Sequence, residues 1–225
     1  MRLGFAQYDY KHVEGRADND YTVGIGAGAS YGQYAYEKGF RGKGNTLFTT
    51  NSSLDASAYP GLTGSNPLWG LASKFKPMAL TASADVASFD PVHVMLSAEY
   101  VRNPAFDRDE IYRRTGLRMT DGSNRAYLLR VAVGMPSIKE MGDWNAALAY
   151  RRVGSDSVLD AFTDSDFGLG GTNMKGYEFS LAYGIDSRTS LGLKYSSAKT
   201  IDSPTLYPGE KFGVDSLQID LAVSF

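Results

Sequence analysis

Hydrophobic and polar residues alternate with a period of two along most of the chain, most cleanly near its end. Between Asp215 and Phe225 the positions Leu217, Ile219, Leu221, Val223 and Phe225 alternate with Gln218, Asp220, Ala222 and Ser224. Such a run predicts a strand with one apolar and one polar face. Tyr177, Phe179, Leu181, Tyr183 and Ile185 repeat the pattern against Glu178, Ser180, Ala182 and Gly184, and Leu191, Leu193 and Tyr195 against Gly192, Lys194 and Ser196. Trp144, Ala146, Leu148 and Tyr150 oppose Asn145, Ala147, Ala149 and Arg151, and Tyr127, Leu129, Val131, Val133 and Met135 oppose Leu128, Arg130, Ala132 and Gly134. Val92, Val94, Leu96, Ala98 and Tyr100 form another apolar row. From Pro77 to Ala87 so do Met78, Leu80, Ala82, Ala84 and Val86. No comparable helical periodicity is present.

The connections alternate in length. Ala87 to Pro91, Pro136 to Asp143 and Asp186 to Ser187 are short, whereas Asn103 to Ser123, Gly154 to Met174 and Lys199 to Val214 are long. Short turns on one rim and long loops on the other are the layout of an outer-membrane barrel. In the N-terminal third, Leu3 to Lys11 predicts one further strand, with Tyr8 and Tyr10 on one face and Leu3 and Phe5 on the other. Between His12 and Trp69, a Gly/Ala/Tyr stretch (Tyr21 to Tyr36) and a polar stretch (Lys38 to Gly70) read as a long loop folded inwards or as an extra hairpin plus a loop.

Composition agrees with this reading. The 225 residues include 25 glycines and 12% aromatics, both suited to β structure. Lys plus Arg at 23 against Asp plus Glu at 25 gives no basic excess for nucleic acid. A mean hydropathy of -0.27 without an 18-residue apolar window excludes a helical membrane protein, but barrel strands leave almost no trace in such averages. Zero cysteines exclude disulfides, Cys-based zinc and a thiol nucleophile. The start, Met1 to Tyr8, has no charged and apolar leader pattern, so an exported protein with this start is processed, engineered or truncated.

Alternation alone does not choose between lipid and a protein core. The aromatics shift the choice, because Tyr100, Tyr127, Trp144, Tyr150, Tyr177, Tyr183, Tyr195 and Phe225 share the apolar parity and sit mostly near strand ends, as interface girdles do. In the central part of the strands from Pro77 onwards, charges fall on the other parity: Asp85, Glu99, Arg130, Arg151, Glu178, Lys194 and Asp220. The expectation is a single domain over residues 1–225: an all-β, transmembrane, antiparallel up-and-down β-barrel of about eight strands, or part of a larger barrel. Glu99, Arg130, Arg151, Glu178, Lys194 and Asp220 are its expected pore-lining residues.

The C-terminal strand with its terminal aromatic resembles the assembly signal of Gram-negative outer-membrane proteins, carried by Tyr183, Leu217, Ile219, Leu221, Val223 and Phe225. The blocks Phe89-Asp90-Pro91-Val92-His93-Val94, Glu99-Tyr100-Val101-Arg102-Asn103 and Lys175-Gly176-Tyr177-Glu178-Phe179-Ser180-Leu181 resemble the "putative porin" family. Its members are longer and carry a signal peptide, so the resemblance implies a C-terminal portion of a larger barrel with an aqueous pore. It implies passive diffusion of small hydrophilic solutes or ions across the cell outer membrane. The implied partners are outer-membrane lipid and lipopolysaccharide and the barrel assembly machinery, with a homo-oligomer left open. A small non-porous barrel with a structural or adhesion role is the alternative, and a soluble sandwich a third reading.

Catalytic chemistry has little support. His12 and His93 lack a Ser and acid in a recognisable arrangement, so no enzyme is expected. Gly24, Gly26 and Ala29 have dinucleotide-fingerprint spacing, but no helix pattern follows to receive a pyrophosphate. Asp156, Asp160, Asp164 and Asp166 lack the glycine and terminal glutamate of an EF-hand and read as a solvated external loop, so no metal or cofactor is expected. Arg102, Arg108, Arg113, Arg114, Arg118 and Arg125 bracket one long loop, with Asp107, Asp109, Glu110 and Asp121 as expected partners in preference to lipopolysaccharide phosphates.

Overall fold

The computed structural model describes residues 1–11, 13, 44–49, 69–120, 122–202 and 211–224. His12, the stretch from Tyr21 to Tyr36 with its glycine fingerprint, Asp121 and Phe225 lie outside them. The strands are β1 (Arg2–Gln7), β2 (Leu47–Thr49), β3 (Trp69–Leu71), β4 (Met78–Phe89), β5 (Val92–Arg102), β6 (Arg125–Gly134), β7 (Trp144–Val153), β8 (Met174–Gly184), β9 (Thr189–Thr200) and β10 (Gly213–Val223). Eight of them form one antiparallel sheet in the order β1-β4-β5-β6-β7-β8-β9-β10. β2 and β3 make a separate short hairpin, which favours the hairpin reading of that segment.

Strands β4 to β10 are ten to twelve residues long, about the length needed to cross a bilayer with tilt. Register keeps the predicted apolar rows on one face: Leu129 lies opposite Tyr150, Leu148 opposite Phe179, Leu181 opposite Leu193, and Leu193 opposite Ile219. That face is bare, with Leu129 54%, Leu148 50%, Ile219 67% and Leu221 64% exposed. So large a continuous apolar surface requires an apolar neighbour. Aromatic rings band it near the long-loop rim, where Tyr127 and Tyr150 lie 5.9 Å apart and Tyr150 and Tyr177 4.9 Å. At the short-turn rim Trp144 faces Tyr183.

The tight turns are built by carboxylates that accept backbone N–H groups, the usual role of Asp in a turn. Asp143 accepts from Lys139 (2.8 Å) and Glu140 (2.9 Å), and these bonds hold its carboxyl below the ordinary range. Asp186 does the same for Arg188 (2.7 Å) and Thr189 (2.8 Å).

One question that the sequence left open is answered, and two expectations need correction. The sheet is not closed, since β1 and β10 are its two edges rather than partners. An eight-stranded barrel has an interior that side chains fill, and this polar face is dominated by Ala, Ser and Gly, which leave that interior unfilled. The first strand ends at Gln7 rather than Lys11. The Tyr8 N–H still reaches the Pro77 carbonyl (3.0 Å), but Pro77 has no N–H to return, and beyond it the pairing continues only as the single bridge between Tyr10 and Phe75. Finally, the long loop after β5 contains a helix, α1 (Arg108–Thr115). Asp107 caps it by accepting from Asp109 and Glu110, and Gly116 ends it in the left-handed region at φ 71°.

The two faces make opposite predictions. Leu148→Arg should destabilise the folded protein in lipid vesicles by roughly 2–4 kcal/mol, whereas Gln218→Arg on the other face should cost under about 1 kcal/mol. Urea titration of the vesicle-folded chain measures both, and equal losses would contradict the face assignment.

Candidate functional site

The polar face carries small residues interrupted by charges. Along β6 to β9 it presents Ala132, Gly134, Ala147, Ala149, Gly176, Ser180, Ala182, Gly192, Ser196 and Ala198. Register sets the expected pore residues among them: Glu99 faces Leu128, which faces Arg151, and Arg130 faces Ala149, which faces Glu178. Lys194 lies between Ser180 and Gln218, and Asp220 opposite Gly192. All six share this face.

The structure brings three of the six together and adds two acids that the strand pattern missed. Lys194 Nζ is 3.4 Å from Glu178 Oε2 and 3.4 Å from Asp166 Oδ2, while the Arg151 guanidinium donates to Asp164 Oδ2 at 2.6 Å. The guanidinium also lies 4.9 Å over the Phe167 ring. Asp164, Asp166 and Phe167 belong to the loop between β7 and β8, which therefore turns inwards across the strands. Between that loop and β5 to β7 is a cavity of about 310 Å³ whose lining includes Glu99, Arg151, Asp164 and Phe162. Charges of both sign thus border a space next to small side chains, an arrangement that orients ions and dipoles.

The loop does not hang in solvent as expected; two of its four aspartates are buried. Asp156 is fully buried, with Oδ1 accepting from the Thr46 N–H (3.0 Å) and Oδ2 from the hydroxyls of Thr46 (2.6 Å) and Ser155 (2.9 Å). Its carbonyl accepts from Asn103 Nδ2 (2.9 Å) and its N–H donates to Ser123 (2.8 Å). Asn45 completes the hub by donating to the Ser155 and Val158 carbonyls and accepting the Asp160 N–H. A buried carboxyl is tolerated because each of its two oxygens accepts a hydrogen bond. Gly44 (φ 111°) and Gly154 make the convergence possible, since a Cβ on either would overlap the carbonyls of Thr172 and of Gly122 respectively. Apolar contacts finish the seal: Phe167 rests on Met174 and Ala198, and Leu159 on Val13, Leu71 and Phe75.

Other sequence candidates go elsewhere. His93 sits at the short-turn rim with Nδ1 2.7 Å from Asp85 and Nε2 3.5 Å from Asp90. Arg113 and Arg114 both pair with Glu110 on α1. Arg118 covers the Tyr112 ring. Among the described residues, no three His, Asp or Glu side chains converge on a metal-sized site.

A family model described as "Putative porin" matches residues 1–225. The chain belongs to the putative porin family. Family membership supports a porin-like, outer-membrane role for the sheet and its charged face. No curated protein and no solved structure matches this porin-family chain. Of the expected assembly signal, Leu217, Ile219, Leu221 and Val223 form the exposed row of the edge strand β10 and Tyr183 joins the short-turn girdle.

The inturned loop is held by two carboxylates of opposite pH sense. Burial pushes the Asp156 carboxyl up, outweighing its Thr46 and Ser155 hydrogen bonds, so its contribution to stability is lost as pH rises through the raised value. Burial also raises Asp164, but the Arg151 hydrogen bond and the Asp166 N–H together hold it below its ordinary 3.8, so that tether is lost as pH falls through the lowered value. Limited proteolysis between residues 154 and 173 should therefore be slowest at mildly acidic pH. Asp164→Asn should remove the acid-side dependence and Asp156→Asn the other; an unchanged pH profile in both would refute the assignment. Asp156→Ala strands the Thr46 donors and should cost about 1–3 kcal/mol in a denaturant melt.

Proposed function

We propose that the chain forms the wall of a passive diffusion channel for small hydrophilic solutes or ions in the outer membrane of a Gram-negative cell. The carrying observation is the composition of the polar face: from β6 to β9 Ala, Ser and Gly hold most positions, and the charged side chains of Arg130, Arg151, Glu178 and Lys194 interrupt them. A side-chain-filled barrel needs bulky residues there, whereas a water-filled one needs a wettable wall with space in front of it. The cavity beneath the inturned loop and the Arg151–Asp164 and Lys194–Glu178 pairs give that wall a narrow charged zone.

In such a channel the charges of the face set ion preference by electrostatic bias on a moving solute, with no covalent step. Glu99, Arg130, Arg151, Glu178, Lys194 and Asp220 are the lining residues. The edge strand β10, with its exposed Leu217, Ile219, Leu221 and Val223, supplies the surface for the barrel assembly machinery.

Planar-bilayer recording of the refolded chain tests the reading, with heat-modifiable gel migration reporting that a barrel has formed. Stable conductance steps are expected, and Arg130→Glu with Arg151→Glu should move the reversal potential toward cation preference under a salt gradient. A folded but silent protein would overturn the channel and support a non-porous structural barrel, and unchanged selectivity would remove both arginines from the lining.

A further inference from the structure

On four consecutive strands the apolar face ends in the same two-residue order, a tyrosine followed outwards by a cation. The pairs are Tyr100 and Arg102 on β5, Tyr127 and Arg125 on β6, Tyr150 and Arg152 on β7, and Tyr177 and Lys175 on β8. β9 adds Lys199, four residues beyond Tyr195. Register makes these cations neighbours rather than a scatter: Arg102 faces Arg125, and Arg152 faces Lys175, which faces Lys199. With strands about 4.8 Å apart, the row runs for roughly 19 Å along the long-loop rim.

Three observations separate this row from an ordinary charged rim. Among the described residues, none of the five forms an ion pair with a carboxylate; Arg152 donates instead to the carbonyls of Gly122 (2.9 Å) and Arg125 (3.3 Å). The acid closest in register on this face is Asp215, opposite Ser197, which neighbours Lys199 alone. The other rim has no counterpart, because Val92, Val133, Trp144, Tyr183, Thr189 and Val223 end the same face there. Next to the row, an open pocket of about 550 Å³ is lined by Arg102, Arg108, Arg125 and Asn124, with the helix-capping Asp107 at its edge.

We propose that this row binds the phosphate groups of lipid headgroups in the leaflet on the long-loop side. The inference rests on the membrane reading above. Tyrosines of a membrane-facing girdle sit at headgroup depth, and the next residue on the same face lies about 6.8 Å further out, at the level of the phosphates. Arginine grips a phosphate through two parallel N–H bonds, and lysine adds a point charge. A soluble polyanion would meet the loop tips first; a border this close to the apolar band is reached by a lipid whose acyl chains lie against that band. The lipid class best matched to several adjacent cations carries more than one phosphomonoester on its headgroup.

The test uses the full chain refolded in detergent micelles and titrated with diphosphoryl lipid A or the same lipid without phosphates, binding being read by native mass spectrometry. The phosphorylated lipid should bind at least about tenfold more tightly, and Arg125→Gln with Lys175→Gln and Lys199→Gln should erase that preference. Lys139→Gln with Arg188→Gln on the opposite rim should leave it intact. Equal affinity for the two lipids, an unchanged triple variant, or displacement of the lipid by millimolar inorganic phosphate would overturn the proposal, the last by showing a free-anion site. Heat-modifiable migration and vesicle insertion are followed alongside: a wild-type chain that does not insert overturns the membrane reading itself, whereas one that inserts without phosphate preference overturns only this inference.

Discussion

Everything in this molecule depends on a ladder that pairs most of the backbone between its edges while it presents an apolar surface. Hydrocarbon offers no hydrogen bonds, so a segment that meets lipid has to satisfy each N–H and C=O within the sheet. Seven strands of nearly equal length in continuous antiparallel register achieve this. The register in turn fixes side-chain parity: a slip of one residue in β7 would put Arg151 where Tyr150 now lies, and one in β9 would put Lys194 where Leu193 now lies. Backbone pairing and the separation of charge from lipid are therefore a single constraint, and the turn carboxylates Asp143 and Asp186, which set hairpin geometry, help to enforce it.

The polar face obeys different rules. Freed from contact with lipid, it has no need of bulk, and its small residues keep space open in front of the strands. Order there comes from loops instead of strands. Asp156 collects donors from Thr46 just before β2, from Ser155 and from Asn103, and Asn45 and Asn103 tie backbone carbonyls that would otherwise be stranded. This polar hub positions Asp164 and Asp166 against Arg151 and Lys194, so the electrostatics of the face depend on contacts remote from the charges themselves.

The strands were legible because period-two alternation is a local signal: the rows of Tyr177 to Ile185 and Leu217 to Val223 appear in the structure with the parity that the sequence dictates. Loop lengths were legible for the same reason. The helix Arg108–Thr115 was not, since it spans only two turns and buries only Ile111, too little for a 3.6-residue period to show, although the Asp107 cap and Gly116 marked its ends. The end of the first strand turned on Pro77, some seventy residues away in sequence. The burial of Asp156 depends on Thr46, Asn103 and Ser123, none of which shares its local pattern, so its four-aspartate loop looked like solvent-exposed acid. Which charges share the lining face followed from parity, but the pairing of Arg151 with Asp164 required a loop trajectory that no periodicity encodes.

The long span between Asn45 and Ser155, 110 residues apart in sequence yet joined by a 2.6 Å hydrogen bond, has a kinetic meaning. Each hairpin of the sheet joins residues close in the chain and can form as soon as its second strand exists, whereas the hub closes a large loop and meets its entropy late. From β4 to β10 the pairing is between consecutive strands, whereas the inturned segment needs both the end of β7 and the distant Asn45 in place. The contact that anchors the inturned segment therefore belongs to the assembled tertiary structure rather than to any one hairpin.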